Sequence, residues 1–299
     1  MLNRFRNRQA PAQTPTRTLD KSARNKQAPQ DSKQILHRML KGYQLPSFPN
    51  IVMEVMRKLR NPDSSLTEIA ETMERDPGMS VRLLKTVNSA AFGLAHNVGD
   101  VGRAVTMLGR SRVEALIVSV AVKQSLPRPQ HGFNSPQFWQ TSARRASLAR
   151  LLAEELNPKG SSEAFTAGLL QDLAVPVLVE SHQKAYSQLY REYQRDPDSN
   201  LYTLERKEIG FDHALVGAHM AKAWHLPLYL AKAIAAHHVR RKPEDEDPAL
   251  AMVSLMRDSQ RYDGTDQILA IAEDRYNLNP DTVKLLIAQA YEDAADLFS

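Results

Sequence analysis

The sequence contains no cysteine, which excludes disulfide bridges, thiolate metal sites and cysteine nucleophiles. It also lacks a long apolar run: ALIVSVAV, at residues 115–122, is far shorter than the roughly 20 residues that a membrane-spanning helix needs. There is no glycine-rich phosphate loop, no G-x-S-x-G nucleophile elbow and no internal repeat. These absences argue against the common nucleotide-hydrolysing and esterase classes and predict a chain without a membrane span.

Apolar residues are nevertheless plentiful enough for a large core. The chain has 299 residues, of which 42% are hydrophobic and 24% are charged, a balance typical of folded globular proteins. The first residues, MLNRFRNRQA, are basic but lack the apolar stretch and cleavage site of a secretory signal. We therefore expect a cytoplasmic protein.

The net charge of +5 resides in the N-terminal tail. Residues 1–33 carry eight Lys or Arg side chains against two Asp, so the remainder sums to −1. Residues 1–30 contain almost no large apolar side chains and cannot bury enough surface to offset the entropy of ordering, which predicts a disordered basic leader. Such a leader could make an electrostatic contact with nucleic acid, anionic lipid or an acidic partner. The alternative is a solvent-exposed segment without a binding role.

From residue 31 onward the sequence predicts successive helices and no convincing strand. Ser65 and Glu68 have the spacing of a capping box, and Asp76-Pro77 and Asn279-Pro280 each pair an N-cap with a first-turn proline. The stretch VEALIVSVAV is rich in β-branched residues, but its length and context favour helix over strand. Further helices are predicted at about 137–156, 162–181, 183–194, 201–208, 212–224 and 227–239. The predicted fold class is all-α.

Two breaks divide this helical sequence. LPRPQHGFNSP at residues 126–136 is the clearest one, and the charged segment RRKPEDEDP follows at residues 240–248. We expect an N-terminal helical half at 31–126 packed on a second half at 137–242, and a C-terminal helical extension at 243–299 that packs on the second half.

Histidines and carboxylates gather in the second half of the sequence. Imidazole and carboxylate groups that converge on a divalent ion can lower the pKa of bound water and support phosphoester hydrolysis. Spacing alone is weak evidence, because a single helical histidine is more often a surface or hydrogen-bonded residue than a ligand. The residues are Asp172, His182, His213, His219, His225, His237, His238 and Asp258.

The order of several motifs resembles the HDOD domain family, a degenerate relative of the HD phosphohydrolases. The first motif is D-P-x-x-x-x-x-L-L-x-x-x-N-S-A-x-F-G at residues 76–93, inside a block that begins with LPSFPN. AVTMLGRSRVEALIVSVAV, FWQTSARRASLARLLAEEL, AFTAGLLQDLAVPVL and GFDHALVGAHMAKAWHLPLYLAKAIAAHH follow in order. The resemblance covers roughly residues 38–260 and implies a multi-helix bundle with an N-terminal helical subdomain packed on a degenerate HD-type subdomain.

The resemblance also implies a degraded metal site. In catalytic HD enzymes a first histidine precedes a His-Asp pair, and a later aspartate completes the set; here these positions resemble Thr141, Gln171-Asp172 and Asp258. His213 and His237 or His238 match further positions that bind metal or phosphate in active relatives. Because two imidazoles are replaced by a hydroxyl and an amide, no catalytic residue and no metal or other cofactor is expected, although weak divalent binding stays open.

The resemblance implies a non-catalytic bacterial regulatory module that binds a partner protein or a small ligand. The segment NSAAFGLAHNVGDVG and the break at 126–136 are candidate partner surfaces. One alternative is a residual phosphohydrolase or phosphodiesterase, with His182 or His219 replacing the lost imidazoles. A nucleotide second messenger, such as a cyclic dinucleotide, is the corresponding bound but uncleaved ligand.

Nucleic-acid binding is a third alternative. Residues 65–90 superficially resemble a helix-turn-helix motif, and the leader is basic. However, GMSVRLLKTVNSAAFG, which ends at Gly93, has only Arg82 and Lys85 as basic side chains and is otherwise largely apolar. Packing explains this helix better than groove reading, so sequence-specific binding is not expected.

Overall fold

The computed structural model describes residues 31–89, 96–129, 132–259, 262–295 and 297. Every regular element in these ranges is helical, which confirms the predicted all-α class. The basic leader lies outside the described residues, and the helix that was expected to end at Gly93 ends at Val87 instead.

Among the described residues, seven α-helices precede the turn that carries Asp172. They are α1 (31–39), α2 (Asn50–Arg60), α3 (Leu66–Glu74), α4 (Pro77–Val87), α5 (Val101–Ser125), α6 (Ser135–Leu156) and α7 (Ser161–Leu170). The predicted capping box is present, since the Ser65 hydroxyl accepts from the Glu68 amide and the Glu68 carboxylate accepts from the Ser65 amide. Asp76 likewise caps α4 in front of Pro77.

Eight α-helices follow that turn in the described part of the chain. They are α8 (Val175–Ser181), α9 (Gln183–Arg195), α10 (Leu201–Ile209), α11 (His213–Ala223), α12 (Leu228–Ala236), α13 (Pro248–Val253), α14 (Thr265–Tyr276) and α15 (Pro280–Ala294). Asn279 caps α15 in front of Pro280, as the sequence predicts.

The predicted helix boundaries differ most from the structure at residues 162–181. The single helix expected there is interrupted after Leu170 and resumes at Val175 as α8. Pro176 has no backbone N–H and cannot continue the hydrogen-bond ladder, so it fits the first turn of a new helix. Asp172 therefore lies in a tight turn at the centre of the protein. The helix predicted at 227–239 also ends earlier, at Ala236.

The segment around Gly109 contains a kink. Gly109 has φ 70° inside α5, a left-handed conformation that favours glycine, and it separates the two helical runs of α5. The VEALIVSVAV stretch, for which a strand was the alternative, is helical.

The main hydrophobic core is continuous across residues 31–126 and 137–242. Leu83, Val105, Leu116, Leu170 and Leu230 are among its buried members. Helix α7 lies at its centre and contacts α5, α6, α12 and α13. A second hydrophobic cluster joins the other side of α6 to α13, α14 and α15, with Leu152, Met252 and Ile287 among its members. The division into domains stays a prediction.

The stretch Pro158–Ser181 is long and apolar enough to cross a membrane by composition alone. However, 83% of its most apolar window is buried inside the fold, and the core helix of a water-exposed domain passes the same test. It is the one such stretch among the described residues.

Candidate functional site

Asp172, His213, His237 and His238 converge at the end of α7. One side-chain nitrogen or oxygen of each lies within 4.8 Å of the others. Asp172 belongs to the turn after α7, His213 opens α11, and the two adjacent histidines follow α12. The α11–α12 pair thus delivers three imidazoles to one carboxylate.

The distances within this cluster are short and similar. His213 Nε2 lies 3.2 Å from Asp172 Oδ1, 3.2 Å from His237 Nε2 and 2.8 Å from His238 Nε2. His237 Nε2 lies 3.3 Å from Asp172 Oδ1. The Nε2 atoms of all three imidazoles therefore face the same small volume beside Asp172 Oδ1.

Buried acceptors orient two of these rings. His213 Nδ1 lies 2.6 Å from Glu205 Oε2, which also accepts from the His213 amide at 2.8 Å. Glu205 is fully buried, and its other oxygen accepts from the Tyr186 hydroxyl. His237 Nδ1 lies 2.6 Å from the Ile234 carbonyl oxygen. These contacts turn Nε2 of both rings toward Asp172.

His238 is held by stacking instead. Its ring lies over that of Tyr202, with centroids 4.4 Å apart and an interplanar angle of 23°. The ring is only partly buried, so the cluster is reachable from this side.

Arg145 of α6 occupies the other side of Asp172. Its Nη2 lies 2.9 Å from Asp172 Oδ2, and its side chain is 3% exposed. The same guanidinium donates from Nε to the Val253 carbonyl at 3.2 Å and from Nη2 to the Met256 carbonyl at 3.0 Å. Arg145 therefore joins the cluster to α13 and the segment after it.

The charges of this site are strongly coupled. Burial alone would raise the pKa of Asp172, but the Arg145 guanidinium and the His213 imidazole hold it well below its usual range. Burial would lower the pKa of His213, but Glu205 and Asp172 raise it to about 10. Burial lowers the pKa of His237 and, with the neighbouring imidazoles, that of His238. At neutral pH the ring that carries a positive charge is therefore His213.

The other positions named from the sequence lie near this cluster. Their side chains are buried or make hydrogen bonds within the fold. Thr141 is buried on α6, one turn before Arg145. The Gln171 amide nitrogen donates to the Leu250 carbonyl in α13 at 3.2 Å, and its Oε1 is buried without a partner among the described residues. Asp258 accepts the Tyr190 hydroxyl on Oδ2 and is not among the four convergent residues.

The histidines considered as substitutes do not join the cluster. His182 lies against Ser181, with its Nδ1 2.9 Å from the hydroxyl oxygen, and its ring packs edge-on against Phe211. His219 faces Ser32 of α1, with its Nδ1 3.3 Å from the hydroxyl oxygen. Neither replaces an imidazole missing at position 141 or 171.

The residues that sequence reasoning missed are Arg145 and Glu205. Both are charged side chains within otherwise ordinary amphipathic helices, and no motif distinguishes them from exposed residues. An arginine one helical turn after the first substituted ligand position was the available signal for Arg145.

A cavity of about 230 Å³ opens beside the cluster. Asp172, His213 and His238 form part of its wall, and Tyr202, Arg240 and Arg257 line it further out. Arg240 donates to the Ser254 hydroxyl at 3.1 Å, and Arg257 donates to the carbonyl oxygens of Pro197 and Ser199.

Comparison with solved structures shows the same fold in several bacterial proteins. An HDOD domain protein of unknown function from Geobacter sulfurreducens matches with a TM-score of 0.70 and 21% identity, over 90% of this chain and 99% of its own. A Shewanella amazonensis protein, provisionally named a phosphohydrolase, matches with a TM-score of 0.68 and 22% identity, over 88% and 97%. A Marinobacter aquaeolei protein, provisionally named for signal transduction, matches with a TM-score of 0.65 and 19% identity, over 94% and 65%.

Two curated proteins are similar in sequence. An uncharacterised protein of Treponema pallidum is 26% identical over 220 residues, and the uncharacterised YuxH of Bacillus subtilis is 26% identical over 137 residues. The matched regions span 42% and 33% of these relatives.

The family model matches residues 45–240, a range that contains α2 to α12 and all four convergent residues. The motif order, the all-α fold and this match agree, and the chain belongs to the HDOD domain family.

Proposed function

We propose that this chain is a non-catalytic bacterial regulatory module that acts in the cytoplasm by binding a partner protein or a small ligand. The contact between Arg145 and Asp172 carries the proposal. A hydrolytic metal centre holds its ion through side chains that converge on it and keeps a coordination position open for water, and a fixed positive charge on a carboxylate ligand disfavours a second cation beside it. Here Asp172 Oδ2 is paired with a buried guanidinium that also satisfies two carbonyl groups.

Displacing this guanidinium would be costly. The Val253 and Met256 carbonyls would lose their donor, and Arg145 would become an unpaired buried charge. Arg145 is thus a fixed partner of Asp172 behind the pocket wall. The amide at position 171 also belongs to the packing between α7 and α13 rather than to a ligand set.

The dimensions of the pocket favour a small ligand or a protein partner over a cyclic dinucleotide. Its volume of about 230 Å³ lies below the roughly 300–1,000 Å³ typical of sites for drug-sized ligands. The name of the Marinobacter structure also agrees with a signalling role.

Turnover measurements test this proposal. The purified full chain is incubated with p-nitrophenyl phosphate, bis(p-nitrophenyl) phosphate and cyclic dinucleotides in the presence of magnesium, manganese or zinc. We expect no hydrolysis above the level of the Asp172→Asn protein, which is nearly isosteric and retains a hydrogen-bonding side chain. Metal-dependent hydrolysis that disappears in Asp172→Asn would overturn the proposal.

A gene deletion with complementation tests the regulatory role itself. We expect deletion of the gene to alter transcription or growth and the full chain to restore the original state. A deletion without any effect across growth conditions would count against regulation, whatever the turnover assay shows.

A further inference from the structure

A groove lies between α1, α2 and the segment that follows α11, outside the site described above. It consists of two adjoining cavities of about 510 and 610 Å³. Phe48, Met53, Trp224 and His225 line both cavities, which makes them one continuous groove. Each cavity lies within the roughly 300–1,000 Å³ typical of ligand sites, so the groove has room for several side chains of a partner.

The floor of the groove is apolar and is fixed by contacts between two segments. The rings of Phe48 and Trp224 stack with centroids 4.9 Å apart, and Trp224 Nε1 donates to the Pro46 carbonyl oxygen at 2.9 Å. Met53, which lines both cavities, is 39% exposed. Because covering a large apolar side chain is favourable, this floor is suited to an apolar anchor from a partner.

The uncompensated charges of the groove are positive. Its charged lining residues are Lys33, Glu54, Arg57 and Arg60. Glu54 Oε1 lies 2.5 Å from Arg75 Nη2, and Arg60 Nε lies 3.2 Å from Glu114 Oε1, so these two are paired. Lys33 and Arg57 are exposed, and neither makes an ion pair among the described residues. The groove therefore favours a ligand that carries carboxylates.

The basic leader adds to this charge. Residues 1–30 carry seven Lys or Arg side chains against one Asp, and they join α1 at residue 31, two positions before Lys33. Like charges repel, so the leader is poorly suited to occupy the groove itself. An acidic ligand, in contrast, is attracted by the groove and by the leader.

We infer that this groove binds an acidic segment of a partner protein, with a large apolar side chain of that segment seated against Met53 and the Phe48–Trp224 pair. Carboxylates of the segment pair with Lys33 and Arg57. An apolar centre with a charged rim is the common arrangement of protein interfaces. The inference rests on the partner-protein part of the proposed function and gives it one surface and one chemistry.

Nucleic acid fits this groove less well. Proteins that bind single strands present aromatic ring faces on which bases stack. Here the rings of Phe48 and Trp224 stack on each other, and each residue is 7% exposed. The groove therefore offers an apolar floor for a side chain rather than a platform for a base.

Peptide selection with the full chain tests the chemistry of the ligand. A phage-displayed library of random peptides is selected on the immobilised protein, and the enriched peptides are synthesised with a fluorescein label for fluorescence anisotropy. We expect sequences rich in Asp and Glu that contain Leu, Phe or Trp, with affinity that falls as salt screens the charges. Absence of any enriched binder, or enrichment of basic or uncharged peptides, would overturn the inference.

Two variants locate the binding surface. Arg57→Glu reverses an exposed charge in the last turn of α2 and should weaken peptide binding about five- to thirty-fold. Met53→Ala removes the exposed apolar contact and should weaken it at least about fivefold. Both positions are exposed, so we expect both proteins to fold, which circular dichroism checks.

The matched controls are Arg195→Glu, in the last turn of α9, and Leu285→Ala, on the exposed face of α15. Both should bind the peptides as the wild-type chain does. Peptides that keep wild-type affinity for Arg57→Glu and Met53→Ala bind the leader or another surface, and this result would contradict the inference.

Trp224 supplies a local signal. The chain has two tryptophans, and Trp139→Phe leaves Trp224 as the remaining one. We expect its fluorescence emission to change on peptide binding, with the dissociation constant found by anisotropy. Unchanged emission at saturation would place the peptide outside the groove. If Trp139→Phe does not fold, the Arg57 and Met53 variants decide.

Other occupants give different results. A single-stranded oligonucleotide that binds the wild-type chain but not Arg57→Glu or Met53→Ala would assign the groove to nucleic acid. A dimer of the full chain in sedimentation that dissociates in Met53→Ala would assign it to a second copy. Either result overturns the inference. Phosphoester hydrolysis refutes the non-catalytic role and leaves peptide binding intact, whereas failure of peptide binding leaves regulation through a small ligand in place.

Discussion

Asp258 is a buried carboxyl group at the edge of the site. Its side chain accepts a hydrogen bond from Tyr190 on Oδ2, and its Oδ1 is buried without a partner among the described residues. Burial raises its pKa to about 6, the Tyr190 hydrogen bond and Arg145 oppose the rise, and Asp172 adds to it. The fold therefore favours the protonated form of Asp258.

Asp258→Asn should stabilise the protein at pH 8 but not at pH 4. Because the folded pKa lies above the unfolded one, the contribution of Asp258 is fully present below about pH 4 and is lost as pH rises through about 6. A shift of about two units corresponds to at most about 3 kcal/mol, so we expect a gain of about 2 kcal/mol at pH 8. Urea denaturation at both pH values measures it.

The matched control is Asp274→Asn, on an exposed position of α14. It should change stability little at either pH. An equal effect of Asp258→Asn at pH 4 and pH 8 would contradict the pKa assignment.

Glu205 is a residue whose burial the sequence pattern does not predict. It lies in the charged segment LERKEI, where a carboxylate is expected to face solvent. In the structure it is 0% exposed and hydrogen-bonded to Tyr186 and His213. Its burial depends on how α9 and α11 pack around α10, and the local sequence pattern of α10 does not contain that information. The histidines, in contrast, were identified as candidates by chemistry alone.

At the scale of elements, the close approach of α6 and α7 positions the site. Gly168 lies where a Cβ atom would come within 3.0 Å of the Ala149 Cβ and of the Arg145 carbonyl oxygen. A glycine here lets α7 lie close enough for Asp172 to reach the Arg145 guanidinium. The glycine therefore serves packing rather than a turn.

Gly168→Ala should destabilise the protein by about 1–3 kcal/mol, because the methyl group meets backbone that cannot move independently of α6. Guanidinium denaturation measures the loss. Gly102→Ala, in the first turn of α5 with its nearest contact at 3.4 Å, is the control and should be neutral or slightly stabilising. Equal effects of the two changes would contradict this account, because they would show that α6 and α7 can move apart without loss of stability.

The elements themselves were largely predictable. Capping residues and first-turn prolines marked the starts of α3, α4 and α15, because these local hydrogen bonds involve neighbours in the sequence. The break between α7 and α8 was not predicted, because the apolar run continues through it and burial on all sides hides the helical period.

At the scale of the whole molecule, the C-terminal helices pack against the helices that form the site. Helices α13 and α15 pack on α6, and the carbonyls of Val253 and Met256 bind Arg145. Residues 243–299 therefore supply partners to the buried charges of the site as well as apolar surface to the second cluster.

A chain ending at residue 242 should lose cooperative folding. Truncation would expose the face of α6 that carries Leu148 and Leu152 and leave Arg145 without two acceptors. Thermal melting followed by circular dichroism, with limited proteolysis, measures the effect against the full chain. A truncated protein with a cooperative transition near the full-length temperature would show that the extension is separable.

The sequence by itself determined the helical class, most helix boundaries, the family and the list of histidines and carboxylates, because helical periodicity, caps and motif order are local properties of the chain. Only the tertiary structure decided which of those side chains meet. Three imidazoles converge on one oxygen of Asp172 and a buried arginine holds the other. That selection depends on how α6, α7, α11 and α12 pack, since side chains far apart in sequence become neighbours only when helices share a core.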